Sequence, residues 1–179
     1  MSRALRPAAT LAALFVTGLL LAGCAAPAAS GPTLTSTKPS AQLMRNEIAG
    51  RVPPAAVDKL GETKDSSVTC GDKGMRRAWR SSIMIFVEPD SAWRLGTIVS
   101  DIVSSLQNDG WVPTVKEPSS TITQTTLKNT KTSAVVNLIA TEAVDGDGNG
   151  ATFSIAADGP CVQTEGPDSD EVKKLEGRA

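Results

Sequence analysis

Between residues 91 and 109 the apolar side chains recur at helical spacing. Leu95, Ile98, Val99, Ile102, Val103 and Leu106 form one stripe, with Ser100, Asp101, Ser104 and Ser105 opposite them. Such a 3.6-residue period predicts an amphipathic helix whose stripe faces a core. Asp90 or Ser91 is its expected N-cap, and Gly110 the residue at which the chain turns away. A shorter helix is expected over 41–49, capped by Ser40 and stopped by Gly50 and the Pro53-Pro54 pair. A brief helical stretch is expected over 55–61.

Elsewhere the pattern alternates with period two. Strands are predicted over 67–70, 78–87, 111–116, 121–128, 132–141 and 150–157. In the second of these, Ile83, Ile85 and Val87 share one face while Met84 and Phe86 share the other. A strand apolar on both faces belongs in the middle of a sheet, and Pro89 ends it. Ala134, Val136, Leu138 and Ala140 alternate with Val135, Asn137 and Ile139, as Ala151, Phe153 and Ile155 do with Thr152 and Ser154. Short polar links between strands favour an antiparallel meander. With the long and the short helix packed on one face, the expected class is α+β, a two-layer sandwich.

The N-terminus changes this picture. Arg3 and Arg6 precede LAALFVTGLLLAG, a run too short to span a bilayer comfortably and ending in small residues, which is the form of an export signal. Leu21-Ala22-Gly23-Cys24 resembles the lipobox of bacterial lipoproteins. That resemblance implies cleavage before Cys24 and a diacylglyceryl group on its thiol. One acyl chain binds a membrane marginally and two hold firmly. The expected organisation is a signal peptide over 1–23, a flexible tether over 24–40, a single domain over 41–165, and a charged tail over 166–179, loose or a short surface helix. The expected location is the extracytoplasmic face of the cell membrane. The expected partners are the membrane itself, through the lipid on Cys24, and an unknown envelope protein or lipid.

Composition narrows the chemistry. The chain has no histidine and no tyrosine, with three Phe and three Trp. Without histidine, Ser-His-Asp and Cys-His catalysis and histidine-bearing zinc sites are excluded. From Cys24 onward, 16 basic side chains stand against 19 acidic ones, so nothing attracts nucleic acid. No cofactor, metal centre or catalytic residue is indicated. With Cys24 lipidated, Cys70 and Cys161 remain, and two cysteines in an exported domain are expected to pair. Closing their 91-residue loop is worth about 4–5 kcal/mol in the chain-entropy model.

The stretch DGDGNG from Asp145 opens like a calcium loop, with Asp145, Asp147, Asn149 and Gly150 in register. A bidentate Glu is required at the twelfth position, which is Ala156, and the flanks alternate as strands. The residues suit a hairpin turn, and weak calcium binding at its tip is the alternative. Arg76, Arg77 and Arg80 have a lipid headgroup or a phosphate as a possible partner, or lie solvated beside a strand. Glu88 and Asp90 cap the long helix. The threonine-rich strand 121–128 offers an exposed β surface or a recruitment edge, and Trp79, Trp93 and Trp111 pack in the core or at its rim.

A cysteine before a central strand, a long helix, a meander and a closing Asp158-Gly159-Pro160-Cys161 together resemble the LppA-like lipoproteins of actinobacteria. The resemblance spans most of the exported chain and rests on layout, not on a catalytic motif. It implies an envelope lipoprotein without an assigned reaction. The expected function is that of a non-enzymatic, lipid-anchored binding or structural module. One alternative is a lipid or glycolipid carrier with an apolar cavity lined by Met84, Phe86, Val135 and Ile139. Another is a carboxylate-dependent enzyme, which needs two acids facing each other in a cleft.

Overall fold

The computed structural model describes residues 31–71, 74–88, 94–115, 121–143 and 150–178. The signal segment with Cys24, Lys116, Asp90, Ser91 and Trp93, and loop residues 144–149 lie outside them. The elements run α1 (Leu34–Ala49), a 3-10 turn (Pro54–Ala56), β1 (Val57–Leu60), β2 (Lys64–Thr69), β3 (Arg76–Val87) and α2 (Leu95–Asn108). There follow β4 (Trp111–Val115), β5 (Ile122–Asn129), β6 (Val135–Thr141), β7 (Thr152–Asp158), β8 (Val162–Gln163) and α3 (Asp170–Leu175).

The class is the expected one. A single antiparallel sheet runs β1-β3-β7-β6-β5-β4, with β2 and β8 also paired to β3, and helices pack against it. β3 is central, as its two-sided apolar pattern indicated. It is longer than any strand beside it, so β1 and β2 share one of its edges and β7 and β8 the other. Arg77 makes this explicit, because it pairs with Thr69 of β2 and with Val162 of β8.

The main core lies between this sheet and the helices. Leu95, Ile98, Val99, Ile102 and Leu106 of α2 and Ile48 of α1 meet Ile85, Val136, Leu138, Phe153 and Ile155. A second, smaller core joins Leu34 and Ala41 of α1 to Trp79, Val162 and Val172. Gly110 (φ +86°) ends α2 in the left-handed region that a C′ glycine tolerates. At Gly159 a Cβ would stand 2.8 Å from the Thr37 carbonyl oxygen, so glycine is what lets the β7–β8 link pass beneath α1.

Several boundaries differ from expectation. α1 begins at Leu34 with Thr33, not Ser40, as its N-cap; the Thr33 hydroxyl accepts the Ser36 N–H at 3.3 Å. Residues 34–40 are therefore helix and not tether, although Pro39 sits inside the helix. An interior proline costs about 3 kcal/mol, which is comparable to the roughly 1.5–3 kcal/mol from fully burying a side chain such as Leu34, here 0% exposed. Residues 57–60 form an edge strand instead of continuing a helix, because β3 offers them a partner. α2 starts at Leu95 with Arg94 as N-cap and no side-chain capping bond, while the expected caps Asp90 and Ser91 lie outside the described residues.

The tail is not loose. Val172 of α3 is fully buried in the second core, and residues 31–179 make one compact unit, so the domain is longer at both ends than 41–165. The threonine-rich strand is β5, which lies between β4 and β6 and is not a recruitment edge.

Cys70 and Cys161 form a disulfide, with Cα atoms 5.9 Å apart. A bridge between them suggests strand ends lying side by side, but β3 lies between β2 and β8, so the two ends are not neighbours. Two strand spacings amount to about 9.5 Å. The two cysteine segments must therefore leave the plane of the sheet to meet. The bridge ties together the chains on both edges of β3 where its partners are shortest. Replacing both cysteines by serine is expected to lower unfolding free energy by about 2–5 kcal/mol in a urea titration. Non-reducing peptide mapping should recover the two cysteine peptides linked; two free, alkylatable thiols in the folded protein would refute the bridge.

Candidate functional site

Side chains alternate across each strand, so the register defines two faces. One faces the helices and carries Ile85, Leu138, Phe153 and Ile155. On the other, residues stand in rows across the sheet. Lys59, Phe86, Thr152, Thr141 and Ile122 form one row, and Met84, Ser154, Ile139 and Gln124 the next. Then come Lys64, Ser82, Ala156, Asn137, Thr126 and Thr114. A last row holds Ser66, Arg80, Asp158, Val135, Lys128 and Val112.

This second face mixes apolar and hydroxyl side chains, with Met84 41%, Ile122 44% and Val112 53% exposed. Where β1 gives way to β2, it opens into a shallow hollow of about 340 Å³ bounded by Glu62, Lys64, Ser82, Met84, Phe86 and Ser154. The hollow exists because one edge of β3 is shared by two short strands with a break between them. Across the same face, Arg80 grips Asp158 with two bonds, Nε to Oδ1 at 2.6 Å and Nη2 to Oδ2 at 2.7 Å. The bond to Asp158 raises the Arg80 pKa; burial opposes that shift and the carboxylate charge adds to it.

The other face spends its polar groups on structure. Arg45 of α1 is buried and donates from Nη1 to Ser81 Oγ at 2.8 Å. Ser81 in turn donates to Asp65 Oδ1 at 2.5 Å, and Gln42 reaches Oδ2 of the same carboxylate at 2.6 Å. Arg77, also buried, donates from Nε and Nη2 to Ser67 Oγ at 3.0 and 2.6 Å. Ser67 offers its hydroxyl (2.6 Å) and its backbone N–H (3.0 Å) to Glu176 Oε1. Glu171 of α3 accepts the backbone N–H and the hydroxyl of Thr35, both at 2.9 Å. That places a carboxylate at the N-terminus of α1, where unpaired N–H groups and the helix dipole favour it.

The residues singled out from sequence disperse. Arg76 is exposed, Arg77 turns to the helix side and Arg80 to the opposite face, so the three make no common phosphate cradle. Glu88 lies beyond the end of β3 and donates its N–H to the Ala56 carbonyl at 3.0 Å. Trp79 is buried, with the Lys38 ammonium 4.7 Å from its ring centroid, and Trp111 packs against the main core. Met84, Phe86, Val135 and Ile139 share one face of the sheet but do not line a common cavity. Ser154 separates Met84 from Ile139, and Val135 sits between Asp158 and Lys128. The hollow takes two of the four, together with polar neighbours.

The flanks of DGDGNG are the strands β6 and β7, while Asp145, Asp147 and Asn149 lie outside the described residues. Among those residues, no three His, Cys, Asp or Glu side chains gather as a metal site. Sequence reasoning missed the lysines on the uncovered face and the carboxylate contacts of the tail. Period-two alternation in KDSSVT was the available signal for Lys64, whereas Glu171 and Glu176 meet partners more than 100 residues away. No family model matches the chain, and neither a curated protein nor a solved structure matches it.

The Glu176 contact predicts a pH dependence. Burial pushes its carboxyl upward, but the bonds from the Ser67 hydroxyl and N–H and from Arg178 outweigh that, so its pKa falls below the ordinary value. A depressed folded pKa makes the contribution complete above the unfolded pKa of about 4.3. The contribution is lost as pH falls through the folded value. Glu176→Gln should lower Tm by about 2–4 °C at pH 7. The two melting curves should converge as the medium is acidified below the ordinary carboxylate range. A gap in Tm that persists unchanged there would remove the ionised carboxylate from the explanation.

Proposed function

We propose that the protein is a lipid-anchored lipoprotein of the cell envelope, similar to the LppA-like lipoproteins, and that its domain is a non-enzymatic binding or structural module on the extracytoplasmic side of the cell membrane. The observation that carries this reading is Leu21-Ala22-Gly23-Cys24, placed after a basic flank and a short apolar run. The Cys70–Cys161 disulfide supports it, since such bonds persist in oxidising compartments.

Lengthening α1 to Leu34 sharpens the proposal. From Cys24 to the N-cap Thr33 is nine residues, which span at most about 30 Å. A domain of this size has a radius of gyration of about 15 Å. Anchored at Cys24, it is held at contact distance from the bilayer. The placement of Asp65, Asp158, Glu171 and Glu176 also favours a binding or structural role, because each carboxylate is used to join elements of the fold.

Cys24→Ala is expected to move the protein from the detergent-rich to the aqueous phase in detergent partitioning. Mass spectrometry of the wild-type N-terminal peptide should find a diacylglyceryl thioether. Retention of the variant in the detergent phase, or an unmodified Cys24 in the exported wild type, would overturn the anchor.

A further inference from the structure

We infer that the helix-free face of the sheet is the surface on which the anchored domain rests against an anionic lipid headgroup layer. The inference deepens the anchor reading and depends on it.

The face has the composition such a contact needs. Register places Lys59, Lys64 and Lys128 on it, all exposed, and none of them forms an ion pair among the described residues. Asp158, the carboxylate that the register puts on this face, is held by Arg80. Glu62 and Asp58 stand at the β1–β2 edge, and with them counted the face is still net positive, on a chain whose formal charge is −1. Between the lysines lie the exposed Met84, Val112 and Ile122 and the half-buried Phe86 and Ile139. Ser154 and Thr141 add hydroxyls to the same face. The hollow of about 340 Å³, bounded by Lys64, Met84 and Phe86, offers room for a headgroup.

Three observations point to lipid as the occupant. The chain ahead of α1 brings a lipid-bearing Cys24 within about 30 Å. The sign of the free charge suits an anionic leaflet, to which each nearby lysine contributes attraction that decays within a Debye length. The helix side commits Arg45, Glu171 and Glu176 to internal bonds, whereas Lys59, Lys64 and Lys128 form no ion pair among the described residues.

The test uses the lipidated full-length protein reconstituted into vesicles of equal parts phosphatidylglycerol and phosphatidylcholine. A fluorophore on Ser154→Cys reports the sheet face, and Gln124→Cys is a second reporter on the same face should the first perturb folding. Ser100→Cys, on the exposed side of α2, reports the helix layer. Quenching by headgroup-spin-labelled lipid is expected at the sheet-face positions and not at Ser100. Replacing Lys59, Lys64 and Lys128 by glutamine should reduce the ratio of sheet-face to helix-face quenching by about five-fold per lysine. Salt that shortens the Debye length to about 3 Å should do the same.

Equal quenching on both layers, or none at the sheet face of a protein that has entered the vesicles, overturns the inference while leaving the anchor standing. A protein that fails to enter the vesicles and lacks the diacylglyceryl mass overturns the anchor, and the inference falls with it.

Discussion

The pairing of β3 is the constraint on which the rest of this fold depends. Twelve residues of extended backbone expose a donor and an acceptor row on each edge, and these rows must be satisfied. No other strand is as long, so two short strands serve each edge. From this follow the register shift in β1, the break at residues 61–63 that opens the hollow, and the β7–β8 link beneath α1 where only glycine fits. The disulfide closes the same arrangement. It joins the chains on the two edges of β3 near the end where β8 contributes two residues of pairing.

Buried charge sets the relation between the termini and this strand. Arg45 and Arg77 are both nearly inaccessible, and removing water from a guanidinium is costly unless its donors find acceptors. Arg45 finds them in Ser81 of β3 and Asn46 of its own helix, with Asp65 3.8 Å away as counter-charge, and Arg77 finds them in Ser67 of β2. Glu176 completes the second set from the far end of the chain, and Glu171 caps α1 from α3. A tail that reads as solvated is therefore part of the folded unit. Such bonds specify one docking geometry better than the small apolar cluster of Leu34, Trp79 and Val172 would alone.

These structural demands leave one face uncovered. The helices and the tail occupy a single side of the sheet, where Arg45, Arg77, Glu171 and Glu176 are paired. On the opposite side Lys59, Lys64 and Lys128 form no ion pair among the described residues, and Met84 and Val112 are exposed. In the proposed anchored state, the nine residues from Cys24 to Thr33 span at most about 30 Å. A face that mixes lysines with apolar and hydroxyl side chains is the one we infer to meet a lipid headgroup layer.

Much of the architecture was legible in the sequence, because periodicity is local. The stripe on α2, the alternation in β6 and β7 and the two-sided apolar run in β3 each reveal an element and its buried face without reference to anything distant. The pairing of Cys70 with Cys161 could be read by counting. Tertiary structure decided what depends on partners far along the chain. Pro39 argues against a helix locally, yet α1 runs through it because Leu34 finds a pocket formed by Trp79, Val162 and Val172. Residues 57–60 could have continued a helical turn, and they pair instead because the upper edge of β3 is vacant. The alternating lysines read only as solvated positions until the register set them on one face. Propensity and period act over a few residues, whereas edge satisfaction and burial are properties of the assembled sheet.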